Sequence, residues 1–204
     1  MKTTLQPPPM GVQILNRVAR KGKGWAFTPH DLADMGDPRA VGMALTRLVR
    51  DGKLRRISRG LYDRPQTHPL LGKAGATSDS VVAAVVRKKN LRILPSAAIA
   101  ANKLGVSTQV PAKIVYHTDG APTTVSLGKL KIQFRRNSAS MLALAGRPGG
   151  LVAQALRDIG KGKVTPVHLQ RLRESLSAEA GKKLLRDLSR IPAWMRPHFK
   201  EISL

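Results

Sequence analysis

Proline and glycine cut residues 28–60 into short, sharply bounded pieces, and this punctuation restricts the fold more than any other feature of the chain. Thr28-Pro29 is a helix start: threonine suits the N-cap, and proline suits a first turn whose N–H needs no partner. The helix Pro29–Met35 is broken at Gly36. Asp37-Pro38 repeats the start signal, and the next helix runs to about Asp51, where Gly52 supplies a left-handed stop. Lys53 to Ile57 (KLRRI) reads as a strand, Ser58-Arg59-Gly60 as a tight turn and Leu61-Tyr62-Asp63 as the returning strand. Upstream, Met10 to Arg20 has helical spacing with Val12, Leu15, Val18 and Ala19 facing a core, joined by Ile14. Trp25-Ala26-Phe27 would add a third strand to the hairpin. Helix, helix, turn, helix and hairpin in that order predict a winged helix-turn-helix over residues 10–65.

In the helix after Asp37, Val41, Leu45, Leu48 and Val49 form one apolar stripe. The other side carries Arg39, Gly42, Met43, Thr46, Arg47 and Arg50, the composition of a helix that enters a DNA groove. An arginine on a guanine edge is worth about 1–3 kcal/mol of discrimination. Lys53, Arg55, Arg56 and Arg59 fall on the hairpin, where they would reach phosphates or the minor groove. The plainer reading of these side chains is a solvated helix face and a charged strand edge that resists aggregation.

Residues 66–76 are rich in Pro and Gly and read as a linker, and Pro7–Pro9 as a short stiff leader. The second domain, residues 77–204, reads as α+β. Ser78 opens a helix with Val81, Val82, Val85 and Val86, stopped at Asn90; Arg92 to Leu94 is a short strand; and Pro95-Ser96 starts a helix ended by Gly105. Three strands follow, at Ile114–Tyr116, Thr123–Leu127 and Leu130–Arg135. They are expected to form a three-stranded antiparallel meander, because tight turns separate them. Helices close the chain at Gly149–Ile159, Pro166–Leu176, Glu179–Leu188 and beyond Ile191, with Trp194 as the expected core plug.

The chain has 204 residues with Lys+Arg 36 against Asp+Glu 12, a formal charge of +24. Such an excess calls for a polyanionic partner, because neutralising phosphates releases counterions. Both parts are basic: residues 1–70 carry net +8 and residues 71–204 net +16. Aromatics make up only 3%, which leaves little for stacking single-stranded bases. The absence of cysteine excludes disulfides and thiolate chemistry. No apolar run approaches a membrane span and no secretory signal precedes the head, so a cytoplasmic protein with no membrane partner is expected.

Enzyme signatures are missing. His30, His68, His117, His168 and His198 never fall at metal spacing with a carboxylate. His117 beside Asp119 is the one conceivable acid–base pair, but turn chemistry explains it as well. Gly146-Arg147-Pro148-Gly149-Gly150 is only weakly like a phosphate loop. No catalytic residue, metal or cofactor is expected.

The phrases RKKNLRILPSAAIAANKLGVSTQVPAKIVYHTDG and VSLGKLKIQFRR resemble the AbiEi-type antitoxin family. The RGLYDRP end of the hairpin matches the family's head. The run Pro95–Gly120 is the most specific part of a resemblance that extends over most of the chain. It implies a type IV toxin–antitoxin, or abortive-infection, system. The winged helix would repress the protein's own operon by binding double-stranded DNA at inverted repeats. The second domain would counteract a nucleotidyltransferase-like toxin without needing a stable complex. On matching positions, Arg39, Arg47, Arg55, Arg56 and Arg59 would contact DNA. The oligomeric state stays open, a dimer on DNA being compatible with inverted repeats. The alternatives are a solitary transcriptional regulator and an RNA-binding or ribosome-associated protein.

Overall fold

The computed structural model describes residues 8–68 and 72–203. The start of the expected proline leader and residues 69–71 of the expected linker lie outside them. The fold is α+β, and the chain divides into two compact units after Asn90. No helix among the described residues is long and apolar enough to cross a membrane.

The first unit begins with α1 (Met10–Lys21), β1 (Ala26–Phe27), a 3-10 helix (Pro29–Met35) and α2 (Pro38–Arg50). The hairpin β2 (Arg55–Ser58) and β3 (Leu61–Asp63) follows. The start signals act as expected. Asp31 reaches back to the Thr28 N–H at 2.8 Å, and Asp37 accepts from the Ala40 N–H at 2.9 Å, so freed helix-start donors are satisfied. Gly52 stops α2 at φ +68°. The three strands form one antiparallel sheet in the order β1-β3-β2. Its core is Ile14, Val18, Phe27, Leu32, Leu45 and Leu54, with other side chains around them. One expectation for α1 fails. Val12 is 45% exposed and Ala19 is exposed, while Ile14 and Val18 are buried. Two residues are about 200° apart on a helix, so a face built on Ile14 turns Val12 outward.

The segment expected to be a linker instead contains a second hairpin, β4 (Gln66–His68) with β5 (Gly72–Ala74). Pro65 and Gly75 lie just outside the paired residues, so neither interrupts the ladder. The helix α3 (Ser78–Lys89), expected to open the second domain, packs on the head. Its cap is Thr77 rather than Ser78, through a bond from the Ser80 N–H. Asn90 ends it in the left-handed region at φ 48°. The reason for this placement is the free edge of β1. Ala26 is fully buried, and its N–H donates to Ser80 Oγ at 2.7 Å while its C=O accepts from the Arg87 guanidinium at 3.0 Å. Side chains of α3 therefore finish a strand that has a backbone partner on one side only.

The second unit contains β6 (Ile93–Pro95), α4 (Ala97–Lys103), β7 (Ile114–Thr118), β8 (Thr123–Leu127) and β9 (Leu130–Arg136). Then come α5 (Pro148–Ile159), α6 (Pro166–Glu174), α7 (Ala178–Leu184) and, after short 3-10 segments, α8 (Arg196–Ile202). All three strands of the expected meander are present, but β7 is not hydrogen-bonded to β8. The order is β6-β7-β9-β8, with β7 parallel to β9 and β8 antiparallel to β9 at the edge. Alternation of apolar residues selects the buried face of a strand but not its neighbour. The centre goes to β9, whose Ile132 and Phe134 are buried, and the edge to the Thr- and Ser-rich β8.

The helices enclose a core of Ala100, Leu156, Leu172, Leu184, Met195 and Phe199 among others. Trp194 is only half-buried and lies at the margin of this core, edge-on to His198; Met195 and Phe199 are the plugs. The short Ala193–Met195 turn rotates Met195, not Trp194, inward. The glycine-rich stretch near residue 148 is a packing device at the start of α5. A Cβ on Gly150 would collide with the Leu144 carbonyl oxygen, so glycine permits the close approach.

The β1 edge gives a prediction. Ser80→Ala should strand the buried Ala26 N–H, cost about 1–3 kcal/mol in urea unfolding and speed exchange of the Ala26 amide. Exchange unchanged from the wild type would mean that the serine does not close this edge.

Candidate nucleic-acid interface

The outward face of α2 and the β2–β3 hairpin carry the residues expected to meet nucleic acid. Arg39, Met43, Thr46, Arg47, Arg50 and Lys53 are all exposed. Met43 is 57% exposed, although the helix has an apolar face available a turn away. Thr46 returns its hydroxyl to the Gly42 carbonyl at 2.9 Å, and Arg50 makes a loose contact with Asp51 at 3.4 Å. Arg39, Arg47, Lys53, Arg56 and Arg59 have no hydrogen-bond or ion-pair partner among the described residues. They are long cations on α2, β2 and the turns that follow them, with no donor engaged among the described residues.

Arg55 differs. Its guanidinium makes a forked pair with Asp63, at 3.0 Å from Nε and 2.6 Å from a terminal nitrogen. Asp63 is 0% exposed, and also accepts the Ala76 N–H at 2.7 Å. Register explains the split between neighbours: Arg55 stands opposite Asp63, and Arg56 stands opposite Tyr62 and points to the other side of the sheet. The hydrogen bond to Asp63 raises the Arg55 pKa. Gly75 completes the arrangement, because any Cβ there would strike the Arg55 guanidinium. Arg55 thus ties the hairpin to the chain entering α3, and its fork is already occupied.

One cation near the hairpin has no counterpart among the expected site residues. Lys88, on α3, brings its ammonium to 3.2 Å from the point a Cβ on Gly60 would occupy. The hairpin turn, with Gly60 at φ +70° and Arg59 exposed, therefore gains a basic neighbour from α3. The sequence signal is the run Arg87-Lys88-Lys89, which reads equally well as the usual charge at a helix C-terminus. Between α1 and α2 lies a groove of about 390 Å³, bordered by Met10, Val12, Leu15, Met43, Arg47 and Lys53.

The histidine and carboxylate weighed as an acid–base pair in the second unit are engaged elsewhere. Asp119 accepts from the Arg92 backbone N–H and from its Nε, both at 3.0 Å. Those bonds lower its pKa. The Asn137 side-chain N–H donates to His117 Nδ1 at 3.1 Å, which suits a neutral ring. Among the described residues no group of three or more metal-ligating side chains is assembled.

The chain belongs to the family of unknown function DUF6088. The family's sequence pattern matches residues 13–184. The chain is similar to the crystal structure of the RV2827C protein from Mycobacterium tuberculosis, with 19% identity and a TM-score of 0.45 over 97% of this chain and 77% of that one. No curated protein matches.

The anchored and free cations of the hairpin and the half-buried His117 each give a prediction. Arg55→Ala leaves a buried carboxylate short of its cation and should cost about 1–3 kcal/mol or more by urea denaturation, whereas Arg56→Ala and Arg59→Ala should stay within about 0.5 kcal/mol. Equal effects for all three would contradict the division. For His117, burial first, and then the charges of Arg135 and Arg157, lower the pKa from its ordinary 6.5. The unfolded chain therefore binds more protons just below that value, and stability should fall as pH drops through the window down to the folded pKa. His117→Gln should flatten the stability profile as pH falls below the ordinary histidine value of 6.5. An unaltered slope in chemical denaturation would show that another group sets it.

Proposed function

We propose that the chain is a double-stranded DNA-binding transcriptional regulator whose first unit acts as a winged helix-turn-helix. In this reading α2 lies in the major groove, with Arg39, Met43 and Arg47 toward base edges, and the β2–β3 hairpin is the wing, with Arg56 and Arg59 toward phosphates. The observation that carries it is the set of exposed cations on α2 and the hairpin, including Arg39, Arg47, Lys53, Arg56 and Arg59, that have no acidic partner among the described residues. Lys88 extends the wing. Arg55 supports the wing's shape through Asp63 and is not counted among the free cations. The resemblance of Pro95–Gly120 to AbiEi-type antitoxins extends the proposal to an autorepressor that binds inverted repeats and counteracts a nucleotidyltransferase-like toxin.

The test is a binding titration on DNA from the protein's own promoter, at several salt concentrations. The double variant Arg56→Ala/Arg59→Ala should weaken binding to all sequences alike and reduce the salt slope by roughly 0.9 for each phosphate that is no longer neutralised. Arg47→Ala should instead narrow the gap between operator and unrelated duplex by about 1–3 kcal/mol. Wild-type affinity in the double variant sinks the wing assignment, and a preference for structured RNA at matched salt sinks the DNA reading. Antitoxicity is checked by co-expression with a nucleotidyltransferase-like neighbouring reading frame, where growth rescue is expected.

A further inference from the structure

The first unit has a second cationic site that shares no residue with the α1–α2 groove. A cleft of about 540 Å³ is lined by Arg17, Arg20, Lys21, Trp25, Asp31 and Arg87. Its cations fall into two kinds. Arg17 is fixed by a forked pair with Asp34, and Arg87 by Asp31 at 2.7 Å. Asp31 is saturated: it also takes the Thr28 N–H and hydroxyl. Burial pushes the Asp31 carboxyl up, but bonds from Arg87 and Thr28 outweigh this and hold it below its ordinary range, so it stays charged and keeps Arg87 in place. Arg20 and Lys21 are exposed and without a partner among the described residues.

The charges can be matched one by one. Asp34 balances Arg17 and Asp31 balances Arg87, which leaves the two charges of Arg20 and Lys21 unmet. A dianion fits that remainder, and a phosphate monoester is the common biological one. The cleft is far larger than a phosphate needs and lies within the roughly 300–1,000 Å³ of small-molecule sites. Its remaining wall is the Trp25 indole, stacked on Phe27 at 4.9 Å and with the Arg87 guanidinium 5.9 Å from its centroid. The paired arginines and the indole form a wall already ordered before a ligand arrives, which lowers the cost of binding. From these observations we infer that this cleft is a binding site for a phosphorylated small molecule of nucleotide size, held through its phosphate by Arg20 and Lys21 and packed by its body against Trp25.

Such a ligand would sit on the clamp that joins α3 to the head. Arg87 contacts the cleft, Asp31, Trp25 and the Ala26 carbonyl together, so occupancy of the cleft bears directly on how α3 closes β1. The site goes beyond the DNA-binding reading and does not depend on it.

The test uses the full chain carrying Trp194→Phe, which leaves Trp25 as the only indole. Inorganic pyrophosphate and AMP are titrated while tryptophan fluorescence is followed. A saturable change is expected for both, tighter for AMP because it also meets the indole wall. Arg20→Ala/Lys21→Ala should weaken each by roughly tenfold or more. Lys161→Ala/Lys163→Ala removes the same charge from exposed lysines of the second unit and should leave the response intact. Three outcomes overturn the proposal: no saturable change, equal weakening in the two double variants, or a response to an unrelated DNA duplex but not to AMP or pyrophosphate. The last would make the cleft a nucleic-acid contact instead.

Discussion

The shape of the head depends on a single buried carboxylate, Asp63. It ends β3, faces Arg55 across the hairpin, and accepts the Ala76 N–H from the segment that leads into α3. A buried charge is tolerated only where partners replace its water. Here the partners come from two places in the chain, Arg55 on β2 and the Ala76 backbone ahead of α3, so one group ties the hairpin to the start of α3. The Ala26 clamp then holds the far end of α3 through Arg87, and Arg87 in turn is oriented by Asp31. Hairpin, β1 and α3 are thus linked by short polar contacts around a small apolar core. A core of this size gains more from such ties than a large one would.

The same contacts explain why the two neighbouring arginines on β2 have different work. Strand alternation sends Arg55 toward Asp63 and Arg56 to the opposite side. Composition makes the pair look equivalent, and only the position of the returning strand tells them apart. A comparable division runs through the cleft beside Trp25, where Arg17 and Arg87 are anchored while Arg20 and Lys21 have no partner among the described residues.

What could be read from the residues alone follows from the range of the forces involved. Local signals are legible: the starts at Thr28 and Asp37, the stops at Gly52 and Asn90, and the apolar stripe of α2 all depend on neighbours within a turn. The exposed face of α2 is legible for the same reason. The buried side of α1 is not, because Val12 and Ile14 are equally apolar, and only the position of Phe27 and Leu45 decides between them. Strand order in the second unit is hidden because β7, β8 and β9 alternate in the same way whether or not β9 slips between the other two. The attachment of α3 to the head rests on Ser80 and Arg87 meeting the edge of a two-residue strand more than fifty residues earlier. No spacing rule reaches that far, and so Lys88 does not stand out in the sequence as a neighbour of the hairpin turn.

The distribution of acids completes the picture of charge. Asp31, Asp34, Asp63, Asp119, Asp187 and Glu179 are each held by an Arg or Lys, and Asp37 caps α2. The scarce carboxylates are therefore largely committed to fixing loops, caps and strand edges, and few are left to screen the cations outside. With +24 on 204 residues, the compact state works against its own repulsion. Among the described residues Arg39, Arg47, Arg56 and Arg59 keep their charges without an acidic partner, and each adds to that repulsion.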